Sequence, residues 1–282
     1  MRVLRTSPVR VLGERDRAQV DAILDQDPVG NVFVASRLRA AGLEAGRLGA
    51  ELWGYVERGS VTALCYAGAN LVPVNADPDA VRHFAGHARW RGRRCSSIVG
   101  PVPAVTDLWR RLGPYWGPAR VIRASQPVMA MSGAPEAAPD PLVRRVRVSE
   151  LGILIPACVA MFTEEVGVPP DSGDGGALYR ARVEELVRTG RAFARIEDGR
   201  VVFKAEIGAV TPQACQVQGV WVHPELRGRG HSVSGMAAVV RAALADIAPT
   251  VTLYVNDFNT PARAAYRKVG FRETGEVMSV LF

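Results

Sequence analysis

The stretch GVWVHPELRGRGHS, from Gly219 to Ser232, decides how the rest of the chain is read. An apolar run ends at Val222, and His223-Pro224 breaks it. Gly228 and Gly230 follow, set among Arg227 and Arg229, and a long Ala- and Val-rich segment begins after Ser232. The order is strand, bare cationic loop, helix. Glycines let a backbone turn with its N–H groups pointing inward and leave no side chain in the way of a ligand. A helix N-terminus adds free N–H donors and the positive end of the helix dipole. Such a loop accommodates an anion, and a pyrophosphate fits its size; a plain strand-to-helix connection would use glycines as well. Two familiar phosphate loops are excluded. No Lys-Ser/Thr follows the glycines, and there is no G-x-G-x-x-G with an acidic residue about twenty positions on.

Working outward, Val233, Met236, Ala237, Val240, Leu244 and Ile247 recur with helical spacing and predict one apolar face over about 232–247. Pro249 ends that segment. Val251, Leu253 and Val255 alternate with Thr252 and Tyr254, as a strand does. Asn259-Thr260-Pro261 reads as a helix start, with a capping side chain and proline in the first turn. Ala262, Ala265 and Val269 form its inner face and Gly270 closes it.

The remainder repeats this plan. Ser132–Pro141 carries three prolines and a glycine and predicts neither helix nor strand, so it is taken as a linker at 134–141. The halves on either side, 1–133 and 142–282, read alike. Each opens with a short β-prone run, Val9–Leu12 and Leu142–Val148. Each continues through one or two helical segments, about 15–42 and 149–190. Three strand-like runs come next: Glu51–Val56, Val61–Tyr66 and Leu71–Val74 in the first half, Ala192–Ile196, Val201–Val210 and Ala214–Val222 in the second. A helix follows each third strand, at about 78–90 and 232–247, and each half closes on a strand-rich end, Gln126–Met131 and Gly275–Val280. Two copies of one α/β unit are expected.

Composition narrows the classes. Of 282 residues 48% are hydrophobic, enough for a substantial core, which excludes a mostly disordered chain. The formal net charge of +7 favours anionic partners without implying nucleic acid. The densest basic run, Arg89–Arg94, reads as a solvated helix end. Cys65, Cys95, Cys158 and Cys215 lie far apart with no C-x-x-C, so neither a zinc site nor a disulfide framework is indicated, and a reducing, cytoplasmic setting is expected. The arginine-containing N-terminus lacks the apolar core of a signal peptide, and no apolar run approaches the ~20 residues of a membrane span. His83 and His87 stand four apart without an acidic companion, and no metal is expected there.

Val220-Trp221-Val222-His223-Pro224-Glu225-Leu226-Arg227-Gly228-Arg229-Gly230 resembles the acetyl-CoA signature V-x-V-x-P-x-x-R-G-x-G of the GNAT superfamily of N-acyltransferases. About thirty residues later, Tyr254–Phe271 resembles the family's second block, V-N-x-x-N-x-x-A-x-x-x-Y-x-k-x-G-F, in the expected order. The match covers roughly 142–282. The first half resembles the fold only in the order of its elements, so the whole chain is similar to actinobacterial-type tandem GNAT proteins with a divergent N-terminal half of unknown function. The resemblance implies an α/β fold of two tandem GNAT-like domains, each with a mixed sheet. It also implies acetyl-CoA as co-substrate and a primary amine, small molecule or protein, as acceptor.

Carried over by position, the resemblance implies that Arg227, Gly228, Arg229, Gly230, His231 and Ser232 hold the pyrophosphate through backbone N–H groups. Ser232 stands where the family has Gly or Ala; it keeps its N–H, and its hydroxyl caps the helix or touches phosphate. His231 is expected to face solvent. Val222 lies along the pantetheine arm, and the Val220 N–H polarises the thioester carbonyl. Asn259 and Ala262 approach the arm. Asn256 lies at the mouth of the site or caps the loop. Tyr266 matches the tyrosine that protonates the departing thiolate; its alternative is an aromatic packed on the core. Glu206 is the nearest carboxylate for a general base, with His223 next, and an ion pair between Glu206 and Lys204 is the competing reading. In the first half Val74-Asn75-Ala76-Asp77-Pro78-Asp79 has no glycine and two acids, so tight CoA binding is not expected there. A homodimer stays open. So do two other readings: a tandem acetyltransferase of thiol-metabolite synthesis, mycothiol-like, and a non-catalytic CoA-binding sensor or scaffold.

Overall fold

The computed structural model describes residues 7–170 and 175–282. The first six residues, and the part of the expected helical stretch 149–190 that falls on 171–174, lie outside the described residues. By contacts the chain forms two compact units: Met1–Val128 with Thr274–Phe282, and Met129–Glu273.

Unit 1 begins with β1 (Val9–Val11), followed by α1 (Arg17–Leu24), α2 (Val32–Ala41) and the single turn α3 (Ala45–Leu48). Next come β2 (Glu51–Glu57), β3 (Ser60–Ala67), β4 (Asn70–Val74), α4 (Pro78–Arg91), β5 (Ser97–Pro101), α5 (Val102–Trp116) and β6 (Val121–Met131), which runs into unit 2. Unit 2 contains β7 (Arg144–Arg145), α6 (Leu151–Val166), α7 (Ala177–Arg188), β8 (Ala192–Glu197), β9 (Arg200–Val210), β10 (Cys215–Val222), α8 (His231–Asp246), β11 (Val251–Tyr254) and α9 (Thr260–Val269). The final strand, β12 (Arg272–Leu281), returns to unit 1.

The strand order in unit 1 is β1-β2-β3-β4-β5-β12-β6. β1 to β4 pair antiparallel, β4 and β5 are parallel, and β12 runs antiparallel to β5 with Ser279 opposite Val99. In unit 2 the order from the end of β6 is β6-β11-β10-β9-β8-β7. The chain thus divides differently from the expected 1–133 and 142–282. The strand-rich ends are shared out differently: Val277–Leu281 completes the sheet of unit 1, while of Gln126–Met131 only Met129–Met131 joins unit 2, where the Thr252 hydroxyl donates to the Met129 carbonyl at 3.1 Å. Both ends carry the same alternating texture, so their pattern does not say which sheet each enters. Residues 134–141 form neither helix nor strand, as expected, yet they are fastened to unit 2. Glu136 N donates to Val269 O at 2.8 Å, and buried Asp140 pairs with Arg195 at 2.9 Å.

Apolar clusters lie on both faces of the unit 2 sheet. On one face Phe203, Ala205 and Ile207 of β9 pack with Met236, Val239 and Val240 of α8 and with Tyr266 and Val269 of α9. On the other, Leu154, Cys158 and Met161 of α6 pack with Val183 and Leu186 of α7. The buried face of α8 is wider than the spacing predicts, since Gly235, Ala238 and Val239 are also enclosed. Gly235 makes this fit, because a Cβ there would sit 2.7 Å from the Phe203 ring.

One acid-stability prediction arises in unit 1. The Arg10 guanidinium grips buried Asp16 with two hydrogen bonds, at 2.9 and 2.7 Å, and lowers its pKa to about 2, with the Gly13 N–H helping. In the unfolded chain an aspartate titrates near ~3.9. The folded pKa is depressed, so the stabilisation is complete above the unfolded value and is lost as pH falls through about 2. It amounts to about 2 kcal/mol at neutral pH. Asp16→Asn is expected to lower urea stability by about that amount at neutral pH and to flatten the acid limb below pH ~4. An unchanged acid limb would remove Asp16 from this role.

Candidate active site

The glycine loop leaves β10 at Val222 and turns through Pro224–Leu226 before entering α8. Gly228 and Gly230 both adopt left-handed backbone, with φ of 76° and 86°, and Gly230 is the residue that caps α8. Open space surrounds the Cβ position of each. Among the described residues, the N–H groups of Gly228, Arg229, Gly230, His231 and Ser232 meet no acceptor within the protein. Five consecutive free donors at a helix entrance form a concave anion cradle.

The side chains of this loop are deployed unevenly. Arg229 is exposed and makes no ion pair among the described residues. Arg227 is tied back instead. Its Nε donates to the Val222 carbonyl at 3.1 Å, and its terminal nitrogen pairs with Glu164 of α6 at 2.7 Å. Glu164 also accepts from the Trp221 indole at 3.1 Å, so this carboxylate fastens both sides of the loop. Nothing in the sequence singled out Glu164. His231 is half-buried with Nδ1 3.5 Å from Arg195, rather than facing solvent alone. Ser232 lies in the first turn of α8, two positions beyond the capping residue, so its hydroxyl does not cap the helix.

Upstream of the loop, β10 has one paired and one open edge. Antiparallel pairing with β9 persists to Val222 opposite Phe203, and His223 N donates to Val202 O at 3.0 Å. Parallel pairing with β11 is confined to Cys215–Val251 and Gln216–Thr252. Beyond Gln216 the two strands part, and by alternation the Val222 N–H points away from β9. A bulge interrupts this stretch. Gly219 takes a φ of 60°, and Gly219 and Val220 together oppose a single residue of β9.

The bulge seats a buried ion pair. A Cβ on Gly219 would lie 3.0 Å from the Glu206 carboxylate and 3.1 Å from Lys204 Nζ. Lys204 and Glu206 are 3.6 Å apart, with side chains 2% and 13% exposed, and Gln218 Nε2 donates to Glu206 at 3.1 Å. The Lys204–Glu206 ion pair is therefore formed, and it lies inside the protein rather than at the surface. Lys204 Nζ has no hydrogen-bond partner. Burial pushes the Cys158 thiol upward beside it, and Tyr179 Oη donates to the Cys158 carbonyl at 2.9 Å. The Tyr179 phenol is pushed well up, by burial first and then by neighbouring charges that include Glu206. His223, the other candidate base, has Nδ1 4.0 Å from Glu225 and no hydrogen-bond partner at that nitrogen.

In the second block, Asn259 caps α9: its side chain accepts from Ala262 N at 3.2 Å. Asn256 lies on the preceding turn, its carbonyl accepting from Asn259 N at 2.9 Å. Ala262 packs against the core cluster. Tyr266 is buried within that cluster, its ring 6.0 Å from that of Phe271. Burial, then the charge of Glu165, pushes the phenol well above its ordinary value and keeps it protonated.

The corresponding place in unit 1 is already filled. Asp77 caps α4, its carboxylate accepting from Ala80 N at 2.8 Å, where unit 2 leaves its donors free. Among the described residues, no group of His, Cys, Asp and Glu side chains is arranged to hold a metal, and no helix is long and apolar enough to cross a membrane.

Residues 164–271 match the model of the acetyltransferase (GNAT) family, and residues 50–154 match a domain of unknown function, DUF4081. The chain carries a GNAT-family domain preceded by a DUF4081 domain. Its fold recurs over full length in solved structures. A Drosophila protein is 14% identical, with 98% of this chain and 99% of that one covered and a TM-score of 0.63. A GNAT-family acetyltransferase from Colwellia psychrerythraea is 12% identical, with 97% and 99% covered and a TM-score of 0.57. A tandem GNAT protein from the clavulanic acid biosynthesis pathway is 15% identical, with 97% and 98% covered and a TM-score of 0.53. At these identities the likeness is one of fold, and it is the tandem GNAT fold. No curated protein matches the chain.

Proposed function

We propose that unit 2 is an acetyl-CoA-dependent N-acetyltransferase acting on a primary amine in a ternary complex. The observation that carries this reading is the continuity of the open β10 edge with the free N–H groups at the start of α8. An extended arm carrying amides pairs with the edge as a missing strand would, and its pyrophosphate end reaches the cradle. Arg229 adds charge at the surface.

In this reading the amine attacks the thioester carbonyl, and the new C–N bond forms as the carbonyl oxygen gains charge. The Val220 N–H, within the bulge, stabilises that oxygen. Collapse breaks the C–S bond, and Tyr266 gives its proton to the sulfur. Glu206 takes the proton that the amine loses, with the Gln218 amide orienting it by a hydrogen bond. Much of the acceleration comes from holding two substrates together.

Titration of acetyl-CoA into the full chain tests the reading, with thiol release then followed against a panel of small primary amines. Saturable binding near one per chain is expected. Glu206→Gln is expected to keep that binding and to slow amine-dependent thiol release about 10²-fold at neutral pH. Absence of acetyl-CoA binding would end the proposal. Unchanged thiol release in Glu206→Gln would remove Glu206 as the base.

A further inference from the structure

The Arg227 side chain lies against the open edge of β10. Val222 stands opposite Phe203, and the next residue, His223, donates to Val202 O at 3.0 Å. Bonded and unbonded positions alternate along an antiparallel pair, so the Val222 C=O, like its N–H, leaves on the side away from β9. That carbonyl already has a partner, since it accepts from Arg227 Nε at 3.1 Å. A guanidinium from the loop therefore covers the acceptor that a strand-like arm would use at this position.

Glu164, in the last turn of α6, holds the guanidinium there. One of its carboxylate oxygens accepts from the Arg227 terminal nitrogen at 2.7 Å, and the other accepts from the Trp221 indole at 3.1 Å. Trp221 is buried in the same apolar cluster as Leu154, Cys158 and Met161 of α6, which fixes the carboxylate from that side. The arginine side is different. The side chains of Arg227 and Glu164 are 48% and 46% exposed. An ion pair so open to water is weak, worth no more than about fivefold in an equilibrium. The guanidinium can leave it without disturbing the core, and Arg227 adjoins Gly228, the first of the free N–H donors of the cradle.

We propose, resting on the acetyl-CoA reading of unit 2, that Arg227 and Glu164 gate its site in favour of the complete coenzyme over thioesters that lack a pyrophosphate. An arm that pairs with β10 displaces Arg227 from the Val222 carbonyl, and both the hydrogen bond and the ion pair are lost. A pyrophosphate offsets this loss, because the released guanidinium exchanges one charge-assisted partner for another. An acetylated pantetheine arm alone offers no such exchange. Glu164 is thus a positioning residue, acting through Arg227 and not on the reacting atoms.

Acetyl-CoA is titrated calorimetrically, and S-acetylpantetheine by ligand-observed NMR, into the full chain, Glu164→Gln, Arg227→Met and the double variant. Glu164→Gln keeps an acceptor for the Trp221 indole and removes the charge that holds Arg227. Its affinity for acetyl-CoA is expected to rise about threefold. Arg227→Met keeps the length of the side chain and removes its donors. It is expected to bind acetyl-CoA about tenfold more weakly and S-acetylpantetheine about threefold more tightly, opposite signs that a merely loosened loop does not produce. In the Arg227→Met background, Glu164→Gln is expected to change either affinity by less than about 1.5-fold, because the two residues act as one unit. Melting curves check that each variant is folded. Three results would overturn the proposal: no gain for acetyl-CoA in Glu164→Gln, a gain that persists in the double variant, or changes of the same sign for the two ligands in Arg227→Met. Each of these presupposes saturable acetyl-CoA binding by the parent chain; its absence ends the acetyl-CoA reading and the gate with it.

Discussion

Replacing Gly230 with aspartate is expected to abolish saturable acetyl-CoA binding and to leave unit 2 folded. Gly230 combines a φ of 86° with open space around its Cβ position, so an added side chain meets no clash. Aspartate tolerates left-handed backbone better than most residues, and the strain is about 1 kcal/mol. Its carboxylate can then cap the first N–H groups of α8, as Asp77 already does for α4. The donors that would meet a pyrophosphate are thereby filled, and a like charge stands where its negative charge must go. A loss of at least about 10³-fold in affinity follows from removing charge-assisted hydrogen bonds and adding repulsion. Calorimetric titration measures it, and a melting curve close to that of the parent protein shows that the fold is kept. Parental affinity in a folded Gly230→Asp protein would place the nucleotide elsewhere.

Tyr266→Phe carries the second largest expected effect: turnover falls about 10²-fold or more while acetyl-CoA affinity stays within twofold. The substitution retains the ring that packs with Phe271 and the core and removes only the hydroxyl. Burial and Glu165 hold that hydroxyl protonated well past the ordinary range of a phenol, so at neutral pH it is available as a donor to a thiolate leaving group. Thiol release and binding are measured on the same preparation. Turnover within twofold of the parent would return Tyr266 to a packing role. A protein that binds acetyl-CoA and gives no thiol release with any amine, before or after substitution, would favour the sensor reading.

Much of the second half was legible because its signals are local. Gly228 and Gly230 stand where only left-handed backbone makes the turn, and the structure finds both in it. Asn259-Thr260-Pro261 is a helix start by short-range chemistry alone, and Asn259 caps α9 as read. The strands flanking the loop alternate strongly enough to be placed within a few residues. The same short range explains what was not legible. The Arg227 side chain gives no local sign of its partner, since α6 brings Glu164 to it from sixty-three positions away. Lys204 reads as a surface partner until β9, β10 and α6 enclose it, and a lone lysine in an alternating strand gives no hint that its side chain will be 2% exposed. His231 reads as solvent-facing until Arg195 comes beside it.

The left-handed glycines of the loop, the Asn259 cap and most helices and strands follow from the residue order alone, since each depends on neighbours within one turn or one strand. Which sheet each end strand completes, where β10 parts from β11 and how Gly219 makes room for Lys204 and Glu206 emerge from the folded chain alone. The reason is the same in each case. Strand pairing, close approach and the burial of charge depend on segments brought together from far apart, and a local pattern is compatible with more than one neighbour.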